Sequence, residues 1–165
     1  MNDEIVVRRA QRGDLARVAQ LAGALVRMHH DVDPSRFLLV ENVEDGYARW
    51  FERQLASDEA VILVASRGPT LVGYAYGTLE ERNWNLLLDE HGAVHDVFVV
   101  PEARREGAGR KLIAELVATL ERLGAPRIVL STMVGNEAAQ RLFRQCGFRP
   151  TMLEMTRSQE ASKEC

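Results

Sequence analysis

Residues 97–117 read VFVVPEARREGAGRKLIAELV, and the change of pattern inside them decides the fold. An apolar run ends at Pro101, which cannot donate to a strand ladder. Leu112, Ile113, Leu116, Val117 and Leu120 then fall on one face at helical spacing. The spacing predicts a strand, a basic glycine-containing turn and an amphipathic helix. A helix N-terminus presents unpaired backbone N–H groups and a partial positive charge, so the turn suits anionic oxygens. Gly107 and Gly109 permit close backbone approach, while Arg104, Arg105 and Arg110 add donors that suit a pyrophosphate better than a lone carboxylate. Two better-known phosphate cradles do not fit. A P-loop needs Gly-Lys-Ser/Thr where this chain has Gly109, Arg110, Lys111 and Leu112, and a dinucleotide fingerprint needs a small residue in place of Leu112.

Upstream, a strand over Ile5 to Arg9 is followed by Asp14, placed as an N-cap ahead of Leu15, Val18, Ala22 and Leu25. Asp31 to Ser35 breaks that helix, and a second one carries Tyr47, Trp50, Phe51 and Leu55. Ala60 to Ala65 and Leu71 to Leu79 read as strands of a hairpin, and a polar loop then leads to a fourth strand over Ala93 to Val100. Downstream of the quoted helix, Arg127 to Val134 is predicted as a fifth strand. Asn136 caps a last helix that ends at Gly147, and Phe148 to Thr156 reads as a final strand. The order is βααββ, βαβ, αβ, an α/β domain with a mixed sheet whose fourth and fifth strands are parallel across a helical crossover. Residues 1–157 are expected to form one domain, with 158–165 a frayed tail.

A chain of 165 residues, 46% of them hydrophobic, can bury a continuous core. A net charge of −3 without any basic block argues against a nucleic-acid partner. No apolar run approaches membrane-spanning length and the start has no apolar signal core, so a cytoplasmic protein with no membrane partner is expected. Cys146 and Cys165 make a poor disulfide pair.

The segment Arg104-Arg105-Glu106-Gly107-Ala108-Gly109, after a strand ending in Val-Val-Pro, resembles the signature of the GNAT superfamily of acyl-CoA-dependent N-acetyltransferases. The resemblance continues at Asn136 to Phe148, similar to the family's asparagine-capped helix ending in Gly-Phe, and with the element order it covers nearly the whole chain. It implies that the fourth and fifth strands splay apart and that the pantetheine arm of acetyl-CoA lies between them, paired to Val97, Phe98 and Val99. It places the pyrophosphate on the Arg105 to Arg110 amides and sets Asn136 and Phe143 beside the arm. The implied activity is acetyl transfer from acetyl-CoA to a primary amine of a small molecule or peptide, by direct attack in a ternary complex. Many family members are dimers, so a homodimer is possible here.

Acyl transfer needs a neutral amine, and an amine with a pKa near about 10.4 must lose a proton first. His95 and Asp96 occupy the strand positions where the family places substrate-side groups, and His95 is the candidate base. By strand alternation Asp96 faces away from His95 unless a bulge intervenes. Where many members carry a tyrosine that protonates the leaving thiolate, this chain has Phe143, which cannot donate. A catalytically weak acyl-CoA-binding regulatory module is the alternative that this departure raises. Consecutive His29 and His30 point about 100° apart on a helix, so with Asp31 and Asp33 they are read as no metal site. His30, Glu80 and Trp84 are instead candidates for acceptor contact, Glu80 by attracting a cationic amine.

Overall fold

The computed structural model describes residues 4–159, so residues 160–165 of the expected tail, Cys165 among them, lie outside the described residues. The elements are β1 (Ile5–Arg9), α1 (Leu15–Val32), α2 (Val43–Leu55), β2 (Ala60–Arg67), β3 (Thr70–Glu80), β4 (His91–Val99), α3 (Ala108–Arg122), β5 (Ile128–Leu130) and α4 (Glu137–Gln145). The strands lie side by side in chain order; every pair is antiparallel except β4 and β5, which are parallel.

The near-continuous apolar run of β2 has a simple cause, because both faces of the sheet are covered. Ala60, Ile62 and Val64 point to a cluster with Leu15, Val18, Ala22, Leu25 and Phe51 of α1 and α2. Val61, Leu63 and Ala65 point the other way, to Leu112, Leu116 and Leu120 of α3. Burying each such side chain contributes roughly 1.5–3 kcal/mol, and the alternation fixes the register, since a one-residue slip would exchange the two layers.

Asp14 stands at the N-cap of α1, but its carboxylate does not cap the helix. It accepts the Gln11 N–H at 2.7 Å and two bonds from Arg8, at 2.7 and 3.0 Å. The helix runs on through Asp31 and Val32, and Asp33 closes it by accepting from the Ser35 N–H at 3.1 Å and the Ser35 hydroxyl at 2.7 Å.

Two strands differ from expectation. β5 spans Ile128–Leu130, not 127–134, because the chain leaves β4 after Leu130. Its loop carbonyls at Met133 and Val134 are satisfied from α4, where Gln140 Nε2 donates to both at 3.1 and 2.8 Å. The expected strand over Phe148 to Thr156 is not formed, and Met152, Leu153 and Met155 are exposed. A strand needs a ladder partner, and Pro150 supplies no N–H while β5, the last strand of the sheet, is three residues long. Arg36 holds this segment by gripping Glu154, at 2.9 Å through Nη2 and also through Nε.

Candidate active site

The pairing of β3 with β4 is interrupted at one place: Tyr76 lies opposite Asp96 and Gly77 opposite Val94, so His95 has no partner and is the extra residue of a bulge. Strict alternation would send His95 and Asp96 to opposite faces, and the bulge overturns that expectation. Val94 and Val97 pack toward α3, whereas the His95 ring stacks on Tyr76 at 5.2 Å and Asp96 meets Tyr74, both tyrosines belonging to the α1–α2 side. Imidazole and carboxylate therefore share one face.

His95 Nε2 lies 2.7 Å from the Thr78 hydroxyl, which donates to Glu80 Oε1. A hydroxyl has one proton, and Glu80 takes it, so Nε2 must carry the imidazole hydrogen and donate to Thr78. That tautomer leaves Nδ1 with the free lone pair, and it is the atom able to accept a proton. Glu80 is 3.5 Å from Nε2 and lends charge support to an imidazolium.

Asp96 is partly buried. Burial raises its carboxyl above the ordinary value, while the Tyr74 hydroxyl, donating at 3.0 Å to Oδ2, and the neighbouring His95 and His29 pull it down. Tyr47, from α2, is pushed up to about 12 by burial first and then by the charge of Asp96. Tyr47 feels the charge of this carboxylate and Tyr76 lies opposite Asp96 in the β3–β4 pairing, while Trp50 packs against both rings, at 6.1 Å from Tyr47 and 4.8 Å from Tyr76. Of the expected acceptor contacts, His30 is occupied structurally, its Nδ1 lying 2.8 Å from the Phe37 carbonyl of the α1–α2 loop. Trp84 lies exposed in the β3–β4 loop, with the Arg82 guanidinium 5.3 Å from its ring.

On its other side β4 opens. The parallel ladder ends at Val94 opposite Leu130, while β4 continues to Val99. The Val100 N–H bonds the Val72 carbonyl at 2.9 Å, which by alternation turns the N–H and C=O of Val97 and Val99 to the open edge. The Val99 carbonyl accepts Arg104 Nε at 2.9 Å, and the Arg104 guanidinium lies 5.8 Å from the Phe98 ring. Arg104 thus braces the strand end, away from the role of a simple free donor.

A single 3-10 turn, Pro101–Ala103, joins the strand to the basic turn. Arg105 has φ +66° and Gly107 has φ +86°, and α3 starts at Ala108. The amides of Ala108, Gly109 and Arg110 have no intrahelical carbonyl to bond. Glu106 is held by Arg67 of β2, whose Nη1 donates to both carboxylate oxygens at 2.9 Å. Arg105 and Arg110 make no ion pair among the described residues. The two glycines serve different ends: an added Cβ at Gly107 would meet nothing within 4 Å, whereas one at Gly109 would lie 3.1 Å from Leu142 Cδ2 of α4. Asn136 Oδ1 caps α4 by accepting the Ala139 N–H at 3.1 Å. Phe143 packs edge-on against Phe148, with ring centroids 6.1 Å apart. Burial raises the Cys146 thiol above its usual value, with Arg110 opposing.

The donors around the open edge and turn are backbone amides and two unpaired guanidinium groups, which fits a diphosphate followed by an extended amide-bearing arm. Among the described residues no three His, Cys, Asp or Glu side chains are grouped to hold a metal, and no helix is long and apolar enough to cross a membrane.

The sequence profile of the Acetyltransferase (GNAT) family matches residues 25–148. The chain belongs to the GNAT family. An uncharacterized N-acetyltransferase of Bacillus subtilis, YhfO, is 25% identical over 144 residues, covering 86% of this GNAT chain and 88% of the relative. An uncharacterized Mycobacterium leprae protein is 33% identical over 147 residues, covering 89% of this chain but 35% of its own length, so this chain spans about a third of it. The solved aminoglycoside N-acetyltransferase AAC(6')-Iy in complex with CoA superposes with TM-score 0.72 at 18% identity, over 94% of this chain and 95% of that one, a likeness of fold.

Thr78, Tyr74, Tyr47 and Arg67 were not among the residues expected at the site. For Tyr74, Thr78 and Glu80 the signal was available, since they alternate along β3 with Tyr76 and must share its face. Tyr47 and Arg67 come from other elements, and no local spacing points to them.

Proposed function

We propose that this protein transfers an acetyl group from acetyl-CoA to a primary amine by direct attack in a ternary complex. The observation that carries the reading is the β4 edge left unpaired beyond Val94, followed within one short connection by the amide-bearing start of α3. Acetyl-CoA, when bound, supplies the activated thioester. Val97 and Val99 would pair with its arm, the amides from Arg105 to Arg110 with the Arg105 and Arg110 guanidinium groups would take its pyrophosphate, and Asn136 and Phe143 would flank it. The structurally similar aminoglycoside N-acetyltransferase is in complex with CoA, which supports both the cosubstrate and an amine as substrate class.

His95 Nδ1 takes the proton of the attacking amine, and Thr78 with Glu80 stabilises the imidazolium that results. Asp96 on the same face holds the acceptor as an ammonium until that transfer, in a niche walled by Tyr47, Trp50 and Tyr76. The Val97 N–H, turned to the open edge beside the bulge, polarises the thioester carbonyl. Phe143 gives no proton to the leaving thiolate, so water supplies it. Because of Phe143 a second reading stands beside the first, a regulatory module that binds acyl-CoA without turnover. Release of free thiol from acetyl-CoA in the presence of a panel of amines separates the two: turnover with any amine supports the transferase, and binding with no turnover across the panel supports the module.

We also infer a homodimer. β5 has a free outer edge at the end of the sheet, and the unpaired segment after Gly147 exposes Met152, Leu153 and Met155.

A further inference from the structure

Glu106 sits between Arg105 and Gly107, the two positive-φ residues of the basic turn, and is the one acidic side chain in that turn. A carboxylate there opposes any anion bound at the start of α3. Its partner comes from outside the turn: Arg67, the last residue of β2, donates through Nη1 to both Glu106 oxygens at 2.9 Å. The Arg67 backbone is fixed in the sheet, paired with Ile5 on one side and Thr70 on the other, so its guanidinium is presented from a rigid element.

We propose that Arg67 is a positioning residue for the acyl donor: it neutralises Glu106 and so keeps the turn receptive to the CoA diphosphate. This rests on the reading of the turn as the diphosphate site. Both side chains are partly exposed, at 35% and 40%, so the effect is moderate and screened by salt. An uncompensated charge within roughly 8 Å of a diphosphate near a solvated surface weakens binding by about three- to tenfold.

Calorimetric titration of CoA at low salt into wild type, Arg67→Ala, Glu106→Gln and the double variant tests this. Arg67→Ala is expected to weaken CoA about three- to tenfold, with a smaller loss at high salt. The double variant returns to near the wild-type Kd, and Glu106→Gln alone binds CoA at least as tightly as wild type, a result readable even where Arg67→Ala folds poorly. In turnover, Arg67→Ala raises KM for acetyl-CoA with kcat unchanged. Wild-type affinity in Arg67→Ala, a double variant as weak as Arg67→Ala, or weakened binding in Glu106→Gln would each overturn the proposal while leaving the diphosphate site intact. Absence of CoA binding by wild type would instead overturn the site reading beneath it.

Discussion

The Tyr74 hydroxyl donates to Asp96 Oδ2 at 3.0 Å, on the face to which the β4 bulge has turned Asp96. Tyr74 is fully buried, so this bond is satisfied away from water. Burial holds the Asp96 carboxyl above the 3.8 expected of an unfolded chain. The neutral form is therefore favoured by folding. Its stabilising effect is complete below that unfolded value and is lost as pH rises through the elevated folded one. Asp96→Asn is expected to remove this downward slope from urea-unfolding free energies measured across the acid range. Tyr74→Phe should move the decline to higher pH, since a bond favouring the anion is gone, and should cost about 1 kcal/mol. Superimposable profiles for wild type and Asp96→Asn would contradict the assignment.

His95 is expected to act on the rate and not on binding. His95→Gln should lower kcat by about 10²-fold or more, with the KM for acetyl-CoA little changed. Thr78→Val removes the acceptor that fixes the Nε2–H tautomer and should give an intermediate loss, while Thr78→Ser keeps the hydroxyl and retains activity. Steady-state kinetics on the three variants decide it. Full turnover in His95→Gln would remove His95 as the base and leave Asp96 to be tried in its place.

Most helices and strands of the fold and the basic glycine-containing turn were legible because they rest on local pattern. Leu112, Leu116 and Leu120 declare a helix face by spacing alone, and the β-rich run from Ala60 to Ala65 declares a strand. The bulge at His95 was not legible. It is a property of how β4 meets β3, and the letters VHDVF are compatible with either face for Asp96. Chain partners far apart in sequence, such as Arg67 with Glu106 or Tyr47 beside Asp96, depend on the same tertiary placement. The missing final strand is likewise a matter of tertiary placement, for a segment becomes a strand only against a partner, and the edge strand β5 is three residues long while Pro150 has no N–H to give.

The two glycines of the turn should separate cleanly under substitution. Gly107 has φ +86° with open space around it, so Gly107→Ala meets no clash and costs only the left-handed backbone, about 1 kcal/mol. Gly109 has no unusual φ, and Ala there would press Leu142 Cδ2, 3.1 Å from the new Cβ. That side chain is flexible, so Gly109→Ala should leave stability nearly unchanged while displacing α4 from the open edge. Thermal melts and CoA calorimetry check both: Gly107→Ala is expected to lower Tm by a few degrees, roughly 2–4 °C, and Gly109→Ala to weaken CoA with little change in Tm. The reverse pattern would show that α4, not the turn, needs the glycine for stability.

Dimerisation through the free β5 edge makes a sharper claim than exposed apolar surface alone. In the segment after Gly147, Met152, Leu153 and Met155 are 90%, 66% and 86% exposed, and the last strand of the sheet, β5, pairs with β4 on one side only. In a pair of identical chains, each such segment can add to the other's edge, satisfying backbone groups and covering the apolar side chains together. Sedimentation velocity over a range of concentrations should show a monomer–dimer equilibrium that Leu153→Glu with Met155→Glu shifts to monomer, with CoA binding retained because the basic turn is untouched. Arg36→Ala, which frees Glu154 from the α1–α2 loop, should not abolish the dimer, since the edge and the apolar side chains remain. A wild type that stays monomeric at every concentration would dismiss the homodimer and leave the acetyl-transfer reading where it stands.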